Sequence, residues 1–169
     1  RRHAGHWDDH SAELAEHHRL AGPAYARPAW LFAHRTAESA IARSSHEDAL
    51  HWLSVAGELQ ALDPLTTAEE RESQHVMQAQ ALRMLGRPAE AWHPLAAAAS
   101  SALERGDTER AARTLLAVND GAVWGWRSVG EVDSDAIALW RSIRQRLDGR
   151  PVVAASVELA IEAEQIDDL

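Results

Sequence analysis

The sequence predicts an all-α fold, a stack of antiparallel helical hairpins with about seven to eight helices. Three observations carry this reading. Apolar residues recur at the 3.6-residue helical period along most of the chain. Residues that start and stop helices punctuate those stripes at short intervals. One turn sequence occurs three times. No run alternates apolar and polar residues with β-branched enrichment for long, so strands are not expected.

Taken in order, the first helix falls near 9–21, within a histidine-rich run. The second, near 29–44, carries Trp30, Ala33, Ala37 and Ile41 at i, i+3, i+7 and i+11. The third, 46–62, follows Ser45, whose partner Asp48 makes a capping box with a shorter acid. The fourth, 68–85, follows Thr67 with Glu70 three residues on, a full capping box. The fifth, 88–104, opens on Pro88, where the missing N–H costs nothing. It carries the stripe Trp92, Leu95, Ala99 and Leu103. Asp107, after Gly106, caps a sixth at 108–118. Ser134 caps a seventh at 135–147, with Ile137, Trp140 and Leu147 inward. Gly149 and Pro151 separate it from an eighth at 151–166, which carries Val153, Val157 and Ala160.

The recurring turn reads RSSHEDALHWL at 43–53, LGRPAEAWHPL at 85–95 and RGDTERAARTL at 105–115. Its second residue is small: Ser44, Gly86 or Gly106. Its seventh is alanine (Ala49, Ala91, Ala111) and its eleventh leucine (Leu53, Leu95, Leu115). A small residue permits a tight turn, and Gly86 is expected in the left-handed conformation. Alanine lets two helices approach, and leucine fills the gap one turn later. The spacing of 42 and then 20 residues makes the array irregular. Such helices bury their stripes only by stacking on neighbours.

Composition removes several functions. The 169 residues contain no cysteine, which excludes disulfides, thiol nucleophiles and cysteine-bound zinc and fits a cytoplasmic setting. They contain no lysine: all 17 basic residues are arginine, so neither a P-loop nor a lysine Schiff base can form. Arginine in place of lysine, with abundant alanine, points to GC-rich codons and a high-GC bacterium. The net charge of −9 and the absence of a basic run argue against nucleic acid and anionic membranes as direct partners. No apolar stretch is long enough to span a membrane. No nucleophile elbow and no His-Glu-x-x-His motif is present, so no catalytic residue is assigned and an enzyme is not expected.

The turn LGRPAEAW resembles the mid-repeat turn of tetratricopeptide (TPR) repeats, and ALDP at 61–64 resembles a TPR exit. AELAEHHRLAG, then AWLFAHRTAESAIARSSHEDALHWLSVAGEL, and WGWRSVGEVDSDAIALW at 124–140 resemble the region behind the ATPase module of large LuxR-type and MalT-type bacterial transcriptional regulators. GEVDSD departs from that family's usual loop. The resemblance covers most of the chain and implies a right-handed TPR-like superhelix. It implies a single domain over 1–169, excised from a larger chain that also carries an ATPase and a DNA-binding helix-turn-helix. The implied function is non-catalytic: binding a protein partner or small effector and receiving a signal. The alternative is an interaction scaffold of another ATPase or assembly protein with no transcriptional role.

Three groups of residues are candidate sites. In a TPR-like hairpin the first helix lines the concave surface, which by resemblance presents His34, Glu38, Gln80 and Arg83. Trp124 and Trp126 lie beside Arg127 in a stretch with three glycines. Two aromatics and a guanidinium can hold a sugar, nucleotide or peptide, or the tryptophans can plug the end of a helical layer. The third group is the run His3–His18, with five histidines in sixteen residues. His6 and His10 stand at i, i+4, a spacing zinc accepts, whereas His17 and His18 point about 100° apart on a helix. No closed ligand set results, so neither a metal nor a cofactor is expected, and a histidine-dependent metal module is the weakest alternative.

Overall fold

The computed structural model describes residues 10–117 and 134–147. The described residues form helices and turns with no strand. Seven α-helices follow in order: α1 Ser11–Leu20, α2 Ala26–Ala42, α3 His46–Leu62, α4 Ala68–Met84, α5 Pro88–Glu104, α6 Thr108–Ala117 and α7 Ser134–Arg146. A short 3-10 turn, Pro23–Tyr25, precedes α2. The all-α expectation therefore stands. The predicted helix at 151–166 lies outside the described residues. The chain divides at Gly86 into two compact units, Arg1–Gly86 and Arg87–Leu169.

The three recurring turns are equivalent in structure as well as sequence. Ser44, Gly86 and Gly106 all adopt positive φ, at 60°, 71° and 81°. After α2, the Ser45 N–H reaches the Ala40 carbonyl at 2.8 Å and the Ser44 N–H reaches Ile41 at 2.9 Å. After α5, Asp107 bonds Ala102 at 2.9 Å and Gly106 bonds Leu103 at 3.1 Å. Both are Schellman closures, in which a left-handed residue turns the chain back to satisfy the last carbonyls. The alanines at the seventh position, Ala49, Ala91 and Ala111, are all 0% exposed. The leucines at the eleventh, Leu53, Leu95 and Leu115, are at most 1% exposed.

Two capping expectations need correction. Ser45 does not cap α3 through its side chain; its hydroxyl donates to the Asp48 carboxylate at 2.6 Å instead. The shorter acid sits where it captures the hydroxyl proton, so no reciprocal box forms. Ser134 is the first residue of α7 and lies within the helix. The Thr67–Glu70 box forms as expected: Thr67 Oγ1 accepts from the Glu70 N–H at 3.2 Å, and Glu70 accepts from the Thr67 N–H at 2.8 Å. Asp107 accepts from the Arg110 N–H at 3.1 Å. α2 begins at Ala26, three residues before the expected start. Pro28 then falls in the first turn, where backbone N–H groups have no helical partner to lose.

In the first unit, α2 is floored with alanine. Ala26, Ala29, Ala33, Ala37 and Ala40 are all buried, and Trp30 is the one large side chain buried on this helix. Each buried alanine contributes little transfer free energy, about 0.8 kcal/mol per methyl-sized group. Their value is close approach of the flanking backbones. Ala15 of α1 and Ala56 and Leu59 of α3 complete one core cluster with Ala29, Trp30 and Ala33. Phe32, Trp52 and Val55 pack at its margin. A second cluster, Ala40, Ala49 and Ala81, joins α2, α3 and α4 at the other end.

In the second unit, α5 and α6 pack side by side, and α7 touches both. α5 continues through Pro94, although proline withholds a ladder hydrogen bond there. α7 buries Ala136, Ile137, Trp140 and Ile143, and Leu147 follows it into the core. Arg146 donates to the Leu103 carbonyl at 3.4 Å.

Candidate functional site

The α2–α4 face of the first unit is positioned by a polar lock that the sequence reading did not single out. Asp63, just past α3, is buried and accepts four hydrogen bonds. The donors are Trp30 Nε1 at 2.8 Å, Arg27 Nη1 at 3.1 Å, Thr66 Oγ1 at 3.1 Å and the Leu65 N–H at 3.0 Å. The Trp30 N–H, above all, holds the Asp63 carboxyl below its ordinary value; burial opposes this. Arg27 also pairs with Glu70 at 2.9 Å, donates to the Leu65 carbonyl, and lies 5.5 Å from the Trp30 ring centroid. The Thr67 backbone N–H, then Arg27, lowers the Glu70 carboxyl. One network thus ties the start of α2 to the end of α3 and the start of α4.

The lock sets the register of the wall. Arg27 meets Glu70 at the N-terminal ends of α2 and α4, and Ala40 meets Ala81 near their C-terminal ends. The two helices therefore run parallel; His34 and Glu38 lie on α2, and Gln80 and Arg83 lie on α4. His34 Nδ1 lies 3.7 Å from Glu38 Oε1, and its ring stands edge-on to Trp30 at 6.5 Å. Glu38 and Gln80 are exposed, while His34 and Arg83 are half-buried. Among the described residues, the side chains of Gln80 and Arg83 form no hydrogen bond or ion pair, and none joins the α2 pair to the α4 pair. Trp124, Trp126 and Arg127 lie outside the described residues.

The histidine run takes packing and surface roles where it is described; His3 and His6 precede the described residues. His10 bonds Glu13 at 3.1 Å on the surface. His18 stacks on Phe32 at 5.6 Å with 3° between the ring planes, and on Tyr25 at 6.0 Å. His17 meets His18 edge-on at 5.6 Å. Among the described residues, no group of three or more metal-ligating side chains comes together.

Two further features sit between α3 and α4. The amide of buried Gln74 donates from Nε2 to the Leu53 carbonyl at 2.8 Å, while its Oε1 and the Nε2 of Gln60 are buried without a partner. Gly57 makes room for that amide: a Cβ there would lie 2.7 Å from Gln74 Nε2. On α4, burial pushes His75 below its ordinary value, against an opposing pull from Glu72.

Polar groups on parallel helices can recognise a ligand or a partner segment by hydrogen bonds and charge. No nucleophile–base pair stands at the wall. Among the described residues, no helix is long and apolar enough to cross a membrane. No protein-family model, curated protein or solved structure matches the chain.

Proposed function

We propose that the chain is a non-catalytic helical-repeat domain that binds a protein partner or small effector and receives a signal within a bacterial transcriptional regulator. One observation carries the binding reading: the side chains of Gln80 and Arg83 stand on α4 with no hydrogen bond or ion pair among the described residues, and His34 and Glu38 on α2 are only weakly paired with each other. A half-buried guanidinium without an acid is suited to take an acidic or carbonyl group from outside. The three equivalent turns support a TPR-like array, and the proposed architecture is its right-handed superhelix. The regulator assignment rests on the resemblance to LuxR-type and MalT-type proteins. In that reading an ATPase and a helix-turn-helix belong to the same parent chain, and the protein works in the cytoplasm. The segment itself makes no direct contact with nucleic acid or membrane.

The test has two parts. The parent gene is expected to encode both an ATPase and a helix-turn-helix beside this segment; a gene with neither would leave the scaffold reading. In the parent chain, His34→Ala, Glu38→Ala, Gln80→Ala and Arg83→Ala combined should abolish the response of a target promoter without lowering the protein level. An unchanged response would remove the wall from the mechanism.

A further inference from the structure

Six large apolar side chains stand exposed among the described residues, and four of them belong to one end of the first unit. At that end α1 and α3 stop, and α2 and α4 start. Leu20 closes α1, Tyr25 lies in the turn before α2, Leu62 closes α3, and Leu65 lies in the turn before α4. All four are 49% to 72% exposed. Single exposed leucines are ordinary on a protein surface, whereas several in one place mark a contact surface. The turn at the opposite end, between α2 and α3, gives the contrast: from Arg43 to Asp48 it carries no apolar residue.

Two links tie the two apolar turns to each other. Arg27, two residues after Tyr25, donates to the Leu65 carbonyl at 3.2 Å. Arg19, next to Leu20, is attracted to Glu58, one turn before Leu62. Both turns are also ordered in advance. The Leu65 N–H donates to Asp63 Oδ1 at 3.0 Å, and the Thr66 N–H donates to the Asp63 carbonyl at 3.2 Å. The Tyr25 ring stacks on His18 at 6.0 Å. Apolar side chains carried on a fixed backbone lose less freedom when a partner covers them.

The charges at this end select the partner. Arg19 is paired with Glu16 at 2.6 Å, and Arg27 with both Asp63 and Glu70. With Glu58 and Glu69 set against Arg71, the end is net negative. Two copies meeting there would bring acid against acid, and an anionic lipid surface would be repelled in the same way. A cationic rim on the partner is complementary.

We propose that Leu20, Tyr25, Leu62 and Leu65 form a docking surface for a protein partner that offers an apolar face flanked by lysine or arginine. This surface is separate from the α2–α4 wall, whose Gln80 and Arg83 lie near the far end of α4, and it does not rest on the wall's role.

The probe is a dye-labelled synthetic amphipathic helix with leucine on one face and lysine beside it, titrated with the full chain by fluorescence anisotropy. A matched peptide with glutamate in place of lysine is the control. The lysine peptide should bind, and added salt should weaken it. Leu62→Ser with Leu65→Ser should weaken it roughly tenfold or more at an unchanged melting temperature. Leu20→Ser with Tyr25→Ser, on the other turn, should do the same and serves if the first variant folds poorly. The combined wall variant should bind like the wild type. No binding of the lysine peptide, equal binding of the glutamate peptide, or equal affinity for wild type and both turn variants would overturn the proposal. So would loss of binding in the wall variant. Self-association of the wild type in sedimentation that the turn variants lose would assign the surface to a second copy instead, and would overturn it too.

Discussion

Gly57→Ala sets two effects of opposite sign against each other, and the structure decides between them. Gly57 lies in the interior of α3, where alanine is favoured over glycine by about 1 kcal/mol. The new Cβ would stand 2.7 Å from Gln74 Nε2, and the next atom, Gln74 Cδ, is 3.9 Å away. Only the amide nitrogen must move, but Gln74 is 5% exposed and its Nε2 bonds the Leu53 carbonyl at 2.8 Å. Displacing it forfeits a hydrogen bond and leaves a second unpaired polar atom on a side chain whose Oε1 already has no partner. A buried donor left unpaired costs about 1–3 kcal/mol, so the loss exceeds the propensity gain and the net is destabilising by about 1 kcal/mol. In a Gln74→Ala background the obstacle is gone, and the same Gly57→Ala change should stabilise by about 1 kcal/mol. Urea denaturation followed by helical circular dichroism reads both values from the midpoints at constant slope. If Gly57→Ala stabilises the wild-type chain as much as the Gln74→Ala chain, the close approach of α3 and α4 at Gln74 is refuted.

The turns make a paired prediction. Gly86→Val forces a β-branched residue to φ 71° and should cost about 1–2 kcal/mol, whereas Ser44→Gly relieves φ 60° and should raise the denaturation midpoint. An unchanged melting temperature for Gly86→Val would contradict the turn. The pH dependence should have two stages. Below 6.5 the unfolded chain binds a proton that folded His75 refuses, so stability falls with pH, and His75→Gln should flatten this stage. Below about 4.5 the unfolded chain protonates Glu70 and then Asp63 before the folded chain does, and stability falls again. A denaturation midpoint that is level across both ranges would refute the two assignments. With a net charge of −9, the segment should show no salt-sensitive binding to duplex DNA in a fluorescence anisotropy titration; tight, salt-dependent binding would contradict the charge argument.

Local chemistry was legible in the sequence where one residue type has one conformational use. Gly86, Gly106, Pro88 and the Thr67–Glu70 pair mark helix ends because backbone geometry and orphan N–H groups demand them. The repeated alanine and leucine positions were legible for the same reason, and all six are buried. Ser45 was misread because Asp48 can either leave its hydroxyl free to cap or bind it, and spacing does not distinguish these. The lock was not legible. Arg27, Asp63 and Glu70 are 36 and 43 residues apart, and nothing in the local pattern pairs them. The ALDP segment contained Asp63, yet its partners are defined only by the packing of α2 against α3. Gly57 likewise looks like a flaw in α3 until Gln74 is seen filling the space. The wall residues could be named from the hairpin resemblance, but the unpaired state of Gln80 and Arg83 is a tertiary fact.

Binding at the α2–α4 wall is tested most directly by parallel capture on the wild-type chain and on the combined His34→Ala, Glu38→Ala, Gln80→Ala, Arg83→Ala variant. Retained proteins and metabolites are quantified by mass spectrometry, with equal helicity and melting temperature confirmed for both chains. The expected result is at least one species that the wild type enriches and the variant loses, and that also shifts tryptophan fluorescence when added back to the wild type. Identical profiles from two equally folded chains would contradict a binding role for the wall.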